Sequence, residues 1–164
     1  MESHIRNRHR LRKKVIRELS QKLSATFSSP INFETSIVDS AILDKQELLI
    51  INNEILVIIF DIEPFLTIRG ILKYQPTGRY VTVDMGAVAF ISKGADVMAP
   101  GIVDADENIQ PGDLVWVRDK KNQQPLAIGR GLISGPKMVQ STKDKAIKSL
   151  HYVGDKLWNI RIHS

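Results

Sequence analysis

The residues whose types and spacing could do chemistry here are cations set beside small, backbone-special residues. Lys93 stands next to Gly94 and Ala95, and the segment runs on through Met98, Pro100, Gly101 and Ile102. Gly and Ala let a flat or elongated partner approach the main chain without side-chain clash, and a lysine at the same place can neutralise a phosphate. Further cations, Arg79, Arg118, Lys120, Lys121, Arg130 and Lys137, follow or precede that segment. Each alone reads as a solvated side chain, and only their clustering on one face would make a site. The chemistry suggested is phosphate contact rather than bond-making.

Catalytic sets are thin. His4, His9, His151 and His163 show neither metal-ligand spacing nor an evident Ser or carboxylate partner. There is no phosphate-cradling P-loop and no nucleophile elbow. Asp84 precedes a helix, where a carboxylate serves as a cap at the positive end of the dipole. The acidic run Asp104 to Asn108 lacks the Gly and the distal Glu of a calcium loop and reads as a turn. The chain has no cysteine, which excludes disulfides and thiolate chemistry and suits an intracellular protein. The expectation is a non-catalytic protein with no metal or cofactor.

Charge and length narrow the partner. The chain has 164 residues, net charge +5 and 43% apolar residues, enough for one domain or two small ones with a lean towards a polyanion. Much of that lean is at the start, where Arg6, Arg8, Arg10, Arg12, Lys13, Lys14 and Arg17 face a single Glu2. Residues 1–10 are expected to fray. Leu11, Val15, Leu19 and Leu23 then recur every four residues with Ile16 beside them, predicting a helix whose apolar stripe covers a sheet. Its cationic face reads as solvated, with phosphate contact by the Arg-rich end as the alternative. The longest apolar run, Leu48 to Phe60, is interrupted by Asn52-Asn53-Glu54 and is too short for the ~20 residues of a membrane span. The chain is read as unprocessed, cytoplasmic and without membrane contact.

The elements that must position these residues follow in order. Strands are expected over 36–43, 47–51 and 54–59, with tight turns at Asp44-Lys45 and Asn52-Asn53. Glu63-Pro64 is expected to open a helix carrying Phe65, Leu66, Ile68, Ile71, Leu72 and Tyr74. Gln75-Pro76-Thr77-Gly78 is turn-rich and divides the chain into units 1–75 and 78–160. The second unit begins with a strand through Tyr80 to Val83, and a helix over 87–93 is stopped by Gly94. Strands over 114–117 and 126–133 flank a polar loop at 119–124. A helix over 142–150 and a last strand over 157–162 complete it. Phe90, Trp116, Tyr152 and Trp158 are expected in the core, and Met98 reads as a gap-filler. The fold class is α+β, with the second unit closing its own edges as a small barrel of mostly antiparallel strands.

That order, with Gly86-Ala87, Phe90, Gly94-Ala95, Met98, Pro100-Gly101-Ile102, Pro111-Gly112-Asp113, Ala127-Ile128-Gly129, His151-Tyr152 to Asp155 and Leu157-Trp158, resembles the PUA domain, an RNA-binding module. The resemblance implies a pseudo-barrel over 78–160. It also implies that RNA lies along the first helix of that unit, the following strand and the last strand. Carried over residue by residue, it points to Phe90, Lys93, Gly94, Ala95, Met98, Pro100, Gly101 and Ile102.

The first half is similar to the pre-PUA domain of the malignant T-cell-amplified-sequence family. Members act in translation re-initiation and recycling, binding the small ribosomal subunit and the acceptor end of tRNA, usually with an SUI1-type partner protein. The resemblance therefore implies RNA, as tRNA or rRNA, as the partner. Two other readings stand beside it: a recognition subunit delivering a separate tRNA- or rRNA-modifying enzyme, and a protein-interaction or small-ligand domain whose barrel has lost its RNA contacts.

Overall fold

The computed structural model describes residues 5–162. The chain divides between Thr77 and Gly78 into two compact units, with the segment from Ile160 rejoining the first. Among the described residues no helix is long and apolar enough to cross a membrane.

The first unit is a five-stranded antiparallel meander with two helices. Strands β1 (Ile5–Arg10), β2 (Val38–Leu43), β3 (Gln46–Ile51), β4 (Glu54–Phe60) and β5 (Glu63–Leu66) lie in that order across the sheet. Asp44-Lys45 and Asn52-Asn53 take positive φ in the two tight turns, the conformation that short hairpins with right-handed strand twist require. Helix α1 (Lys13–Phe27) buries Ile16, Ser20, Leu23 and Phe27, and Phe27 meets Phe65 of β5 at 4.5 Å between ring centroids.

Three expectations for this unit are corrected. The start of the chain is not frayed from Ile5 onward: it forms β1, because the Asp39 carboxylate on β2 accepts from Arg8 at 2.7 Å and Arg10 at 2.6 Å. Residues 1–4 of that expectation lie outside the described residues. The apolar stripe holds at Ile16 and Leu23 but not at Val15, which is exposed, since α1 starts only at Lys13 and a true 3.6-residue period brings Ser20 and Phe27 to the buried face. Glu63-Pro64 opens a strand rather than a helix. Pro64 has no N–H to donate and is tolerated because β5 is the sheet edge. Helix α2 (Ile68–Tyr74) starts later, at Thr67, whose hydroxyl accepts from the Gly70 N–H and donates to the Ile55 carbonyl.

The second unit is a curled six-stranded sheet with short helices. Its elements are β6 (Tyr80–Val83), α3 (Met85–Ile91), β7 (Val97–Met98), a 3-10 turn (Ala99–Gly101), β8 (Ile102–Ala105), β9 (Leu114–Asp119), β10 (Pro125–Gly131), α4 (Gly135–Gln140), β11 (Lys145–Tyr152) and α5 (Lys156–Asn159). The sheet order is β7-β11-β10-β9-β6-β8, antiparallel except for the parallel pair β6 and β9. Val81, Val83, Ile91, Val97, Ile102, Ile109, Val115, Val117, Met138 and Ile147 fill its interior. Trp116 is buried as expected and donates its indole N–H to the Gly78 carbonyl.

The tail of this unit differs from expectation. Residues 145–152 form a strand, β11, not a helix, held between β10 and β7. The helix of this region, α4, lies upstream, where Ser134 accepts from the Lys137 N–H and Pro136 occupies the first turn. The segment 157–162 holds a helical turn rather than a strand. Asp155 nucleates it by accepting from the Trp158 N–H at 2.8 Å, while its other oxygen takes the Tyr152 N–H.

Candidate nucleic-acid interface

The candidate site is built on α3 and the turn that follows. Asp84 caps the helix through Oδ1, which accepts from the Ala87 N–H at 3.0 Å, and its own N–H donates to the Gly101 carbonyl at 2.9 Å. That bond lays the Pro100-Gly101 turn along the helix start. A Cβ on Gly101 would stand 3.2 Å from the Ala87 methyl, so the two backbones meet closely there. After Ile91 the chain turns through Gly94, at φ +90°.

Between helix and turn lies an open groove of about 480 Å³, lined by Ala87, Phe90, Ile91, Ala95, Val97, Met98 and Pro100, with Asp84, Gly86, Asp96 and Gly101 at its margins. Its lining is mostly apolar. Phe90 is 68% exposed and Met98 46% exposed, so neither belongs to the core. With Ile91 fixed inward, its neighbour Phe90 points about 100° away on a helix only two turns long. Ile102, in contrast, is buried and does not line the groove. Tyr152 is half-buried and packs against the core of the unit, and Trp158 is half-buried.

Lys93 is exposed on the turn after α3. Two further lysines are near the groove that the sequence reading passed over. Lys145 pairs in register with Met98, and its ammonium lies 3.0 Å from Asp96. The Asp96 carboxyl is held below its ordinary value by the Ser149 N–H, then by Lys145, with Lys148 adding a weaker attraction. Both lysines were hidden because residues 142–150 read as a helix. The Ser-Gly-Pro cap at 134–136 was the signal that places the helix earlier.

The other cations are not gathered at the groove margin. The Arg79 guanidinium donates to the Leu114 carbonyl and lies 3.9 Å from Asp113, while Arg130 donates to the Gly112 carbonyl. Both brace one turn. Arg118 stacks 4.1 Å from the Tyr80 ring centroid and donates to the Thr82 hydroxyl, a half-buried structural cation. Lys120 and Lys121 stand exposed at the tip between β9 and β10, and Lys137 is exposed on α4.

His151 is buried and hydrogen-bonded to Asp155 at 2.8 Å. Burial pushes the Asp155 carboxyl up, but His151 and the backbone donors outweigh it and leave the group below its ordinary value. This pair braces the end of β11 and the start of α5. Among the described residues no group of three or more His, Asp or Glu is placed to hold a metal.

A capped two-turn helix, a positive-φ glycine and a bare groove beside the first strand of a pseudo-barrel define a PUA-domain protein, and the PUA domain family matches residues 79–153. The chain is 41% identical over 159 residues to an uncharacterised protein of Methanocaldococcus jannaschii, covering 96% of this chain and 98% of that one. Translation machinery-associated protein 20 of Eremothecium gossypii is 27% identical over 173 residues, covering 96% and 94%. The crystal structure of a hypothetical protein from Pyrococcus horikoshii superposes with a TM-score of 0.82 at 38% identity, covering 92% and 97%. The chain carries a PUA domain and belongs to one family with these proteins of M. jannaschii and P. horikoshii, and it is similar to translation machinery-associated protein 20 and to malignant T-cell-amplified sequence 1.

Proposed function

We propose that this protein binds RNA in translation, without catalysis, and that the groove beside α3 receives it. The observation that carries the reading is an exposed Phe90 and Met98 over bare backbone at Gly86, Ala95 and Gly101, with Lys93, Lys145 and Lys148 close by. An apolar, weakly charged groove suits an unstacked base better than a phosphate, and the lysines suit the backbone on either side of it. Relatives named for association with the translation machinery support the process.

The RNA is the acceptor end of tRNA, small-subunit rRNA, or both. Residues 78–160 act as the RNA-binding domain and 1–75 as a pre-PUA domain. The small ribosomal subunit and an SUI1-type protein are the partners, in the cytoplasm. The groove contacts are Lys93, Gly94, Ala95, Met98, Pro100 and Gly101, joined by Phe90, Lys145 and Lys148.

Fluorescence anisotropy with tRNA, intact or trimmed of its single-stranded 3′ end, tests the reading. Intact tRNA should bind more tightly, and Phe90→Ala should erase the difference. Equal affinity for the two RNAs in the wild type would remove the acceptor end as ligand, and no binding to tRNA or rRNA fragments would remove the function.

A further inference from the structure

The basic excess of this chain does not reside mainly in the PUA unit. The 13 residues from Ile5 to Arg17 hold seven of the 23 Lys and Arg and none of the 18 Asp and Glu. Without them sixteen basic residues face eighteen acidic ones, and the formal charge is −2. The positive charge of the whole protein is concentrated on one short stretch.

The structure presents that stretch on an edge. Strand β1 is the outermost of its sheet, and Arg6, Arg8, Arg10, Arg12, Lys13, Lys14 and Arg17 are all at exposed positions. Asn7, at positive φ, makes a bulge that turns Arg8 and Arg10 onto the same carboxylate, Asp39, so one acid holds two guanidinium groups and leaves the cluster positive. Arg17 lies 3.5 Å from Glu34. Arg12 is the N-cap of α1 without a side-chain capping bond, and the first turn contains no acid. Lys13 and Lys14 therefore sit at the helix end where cations are disfavoured by the dipole, which is a poor choice for stability and a good one for holding an anion.

We propose that β1 and the first turn of α1 form a second, sequence-independent surface for the phosphate backbone of RNA, distinct from the groove. Five of the seven cations are arginines, whose planar forks match phosphate oxygens in pairs. A membrane surface is disfavoured because the apolar face of α1 is already buried in the unit, leaving nothing to insert into lipid. The choice of RNA over another polyanion rests on the RNA-binding reading of the groove. The cation cluster does not.

The test is anisotropy of two unrelated RNA stem-loops of equal length, titrated with the full chain across a KCl series. Arg6, Arg12, Lys13 and Lys14 are replaced together by Ala, sparing the cations paired with Asp39 and Glu34. Affinity for both RNAs should fall about equally, by tenfold or more. The slope of log K against log salt should flatten by roughly two to four, at ~0.7–0.9 per phosphate contact. Lys at all four positions should keep the slope, and a melting temperature near wild type confirms the fold. Phe90→Ala should weaken binding while keeping the slope.

An unchanged slope and affinity in the quadruple Ala variant overturns the proposal, as does a wild-type protein that binds neither stem-loop. If Phe90→Ala alone weakens binding, the groove stands and this surface falls; if the quadruple variant alone does, the reverse holds. Loss of binding only to phosphatidylserine–phosphatidylcholine vesicles, with RNA affinity intact, overturns it in favour of a membrane.

Discussion

Gly94 rests on the ring of Tyr152: a Cβ built on the glycine would stand 2.8 Å from Tyr152 Cε1. The turn that follows α3 is thereby seated on the end of β11, and φ +90° at Gly94 is a second reason for the missing side chain. Gly94→Ala should destabilise the protein by about 2–4 kcal/mol, combining left-handed strain with the contact. Tyr152→Leu in the same chain should recover the contact part and leave the strain. A double-mutant cycle by urea denaturation measures the split, and zero coupling would mean that the ring does not support the turn.

The clamp on Asp39 sets an acid limb. Burial pushes its carboxyl up, but hydrogen bonds and charges from Arg10 and Arg8 outweigh it and leave the group below its ordinary value. A depressed carboxylate contributes stability that is fully present above the unfolded value, about 3.9, and is lost as pH falls through the lower folded value. Asp39→Asn should therefore cost about 1–3 kcal/mol at pH 7, since both arginines are partly solvated. The gap between wild type and variant should narrow steadily below pH 4. Denaturation midpoints from pH 7 to 2 check this, and a gap constant over that range would exclude the ionised pair as its source.

What the sequence makes legible here is local chemistry, and what it hides is competition between elements. Asn52-Asn53 and Gly94 announce their turns because few residues take positive φ cheaply. The motif from Gly86 to Gly101 likewise carries its groove in its own backbone constraints. Lys145 to Tyr152, in contrast, has no clean period of two or of 3.6. Only pairing with both Val97-Met98 and Ala127 to Gly131 makes it a strand. Phe90 misleads differently: an aromatic near Ile91 reads as core, yet one 100° step on a two-turn helix decides which of them faces inward. Long-range partners explain the Arg-rich start too, since nothing near Arg8 and Arg10 in sequence foretells Asp39.

Phe90 supplies a direct test of whether the groove exists for binding. A side chain this exposed contributes little to folding, so Phe90→Ala should change stability by no more than about 0.5 kcal/mol. If a base stacks on it, the same change should weaken RNA binding by about 1–3 kcal/mol, roughly five- to 150-fold. Thermal melting and anisotropy on one preparation separate the two quantities. A variant that loses stability but not affinity would make Phe90 a packing residue.

Asp96 stands at the margin of the groove with two tasks that can be pulled apart. Its Oδ1 accepts from the Ser149 N–H at 2.8 Å, and its Oδ2 lies 3.0 Å from the Lys145 ammonium. Asp96→Asn keeps an oxygen for the amide but removes the charge, so stability should fall by about 1 kcal/mol, the scale of a partly exposed ion pair and a weakened charged hydrogen bond. Asp96→Ala leaves the Ser149 N–H without its acceptor and should cost about 1–2 kcal/mol more. RNA affinity should move the other way: in Asp96→Asn a repulsive carboxylate is gone and Lys145 is released towards phosphate, so binding should tighten by about two- to fivefold at low salt. Lys145→Ala should weaken binding and reduce the salt slope by about one. Were Asp96→Asn to weaken RNA binding as much as Lys145→Ala does, the carboxylate would be aiming the lysine at the RNA rather than restraining it.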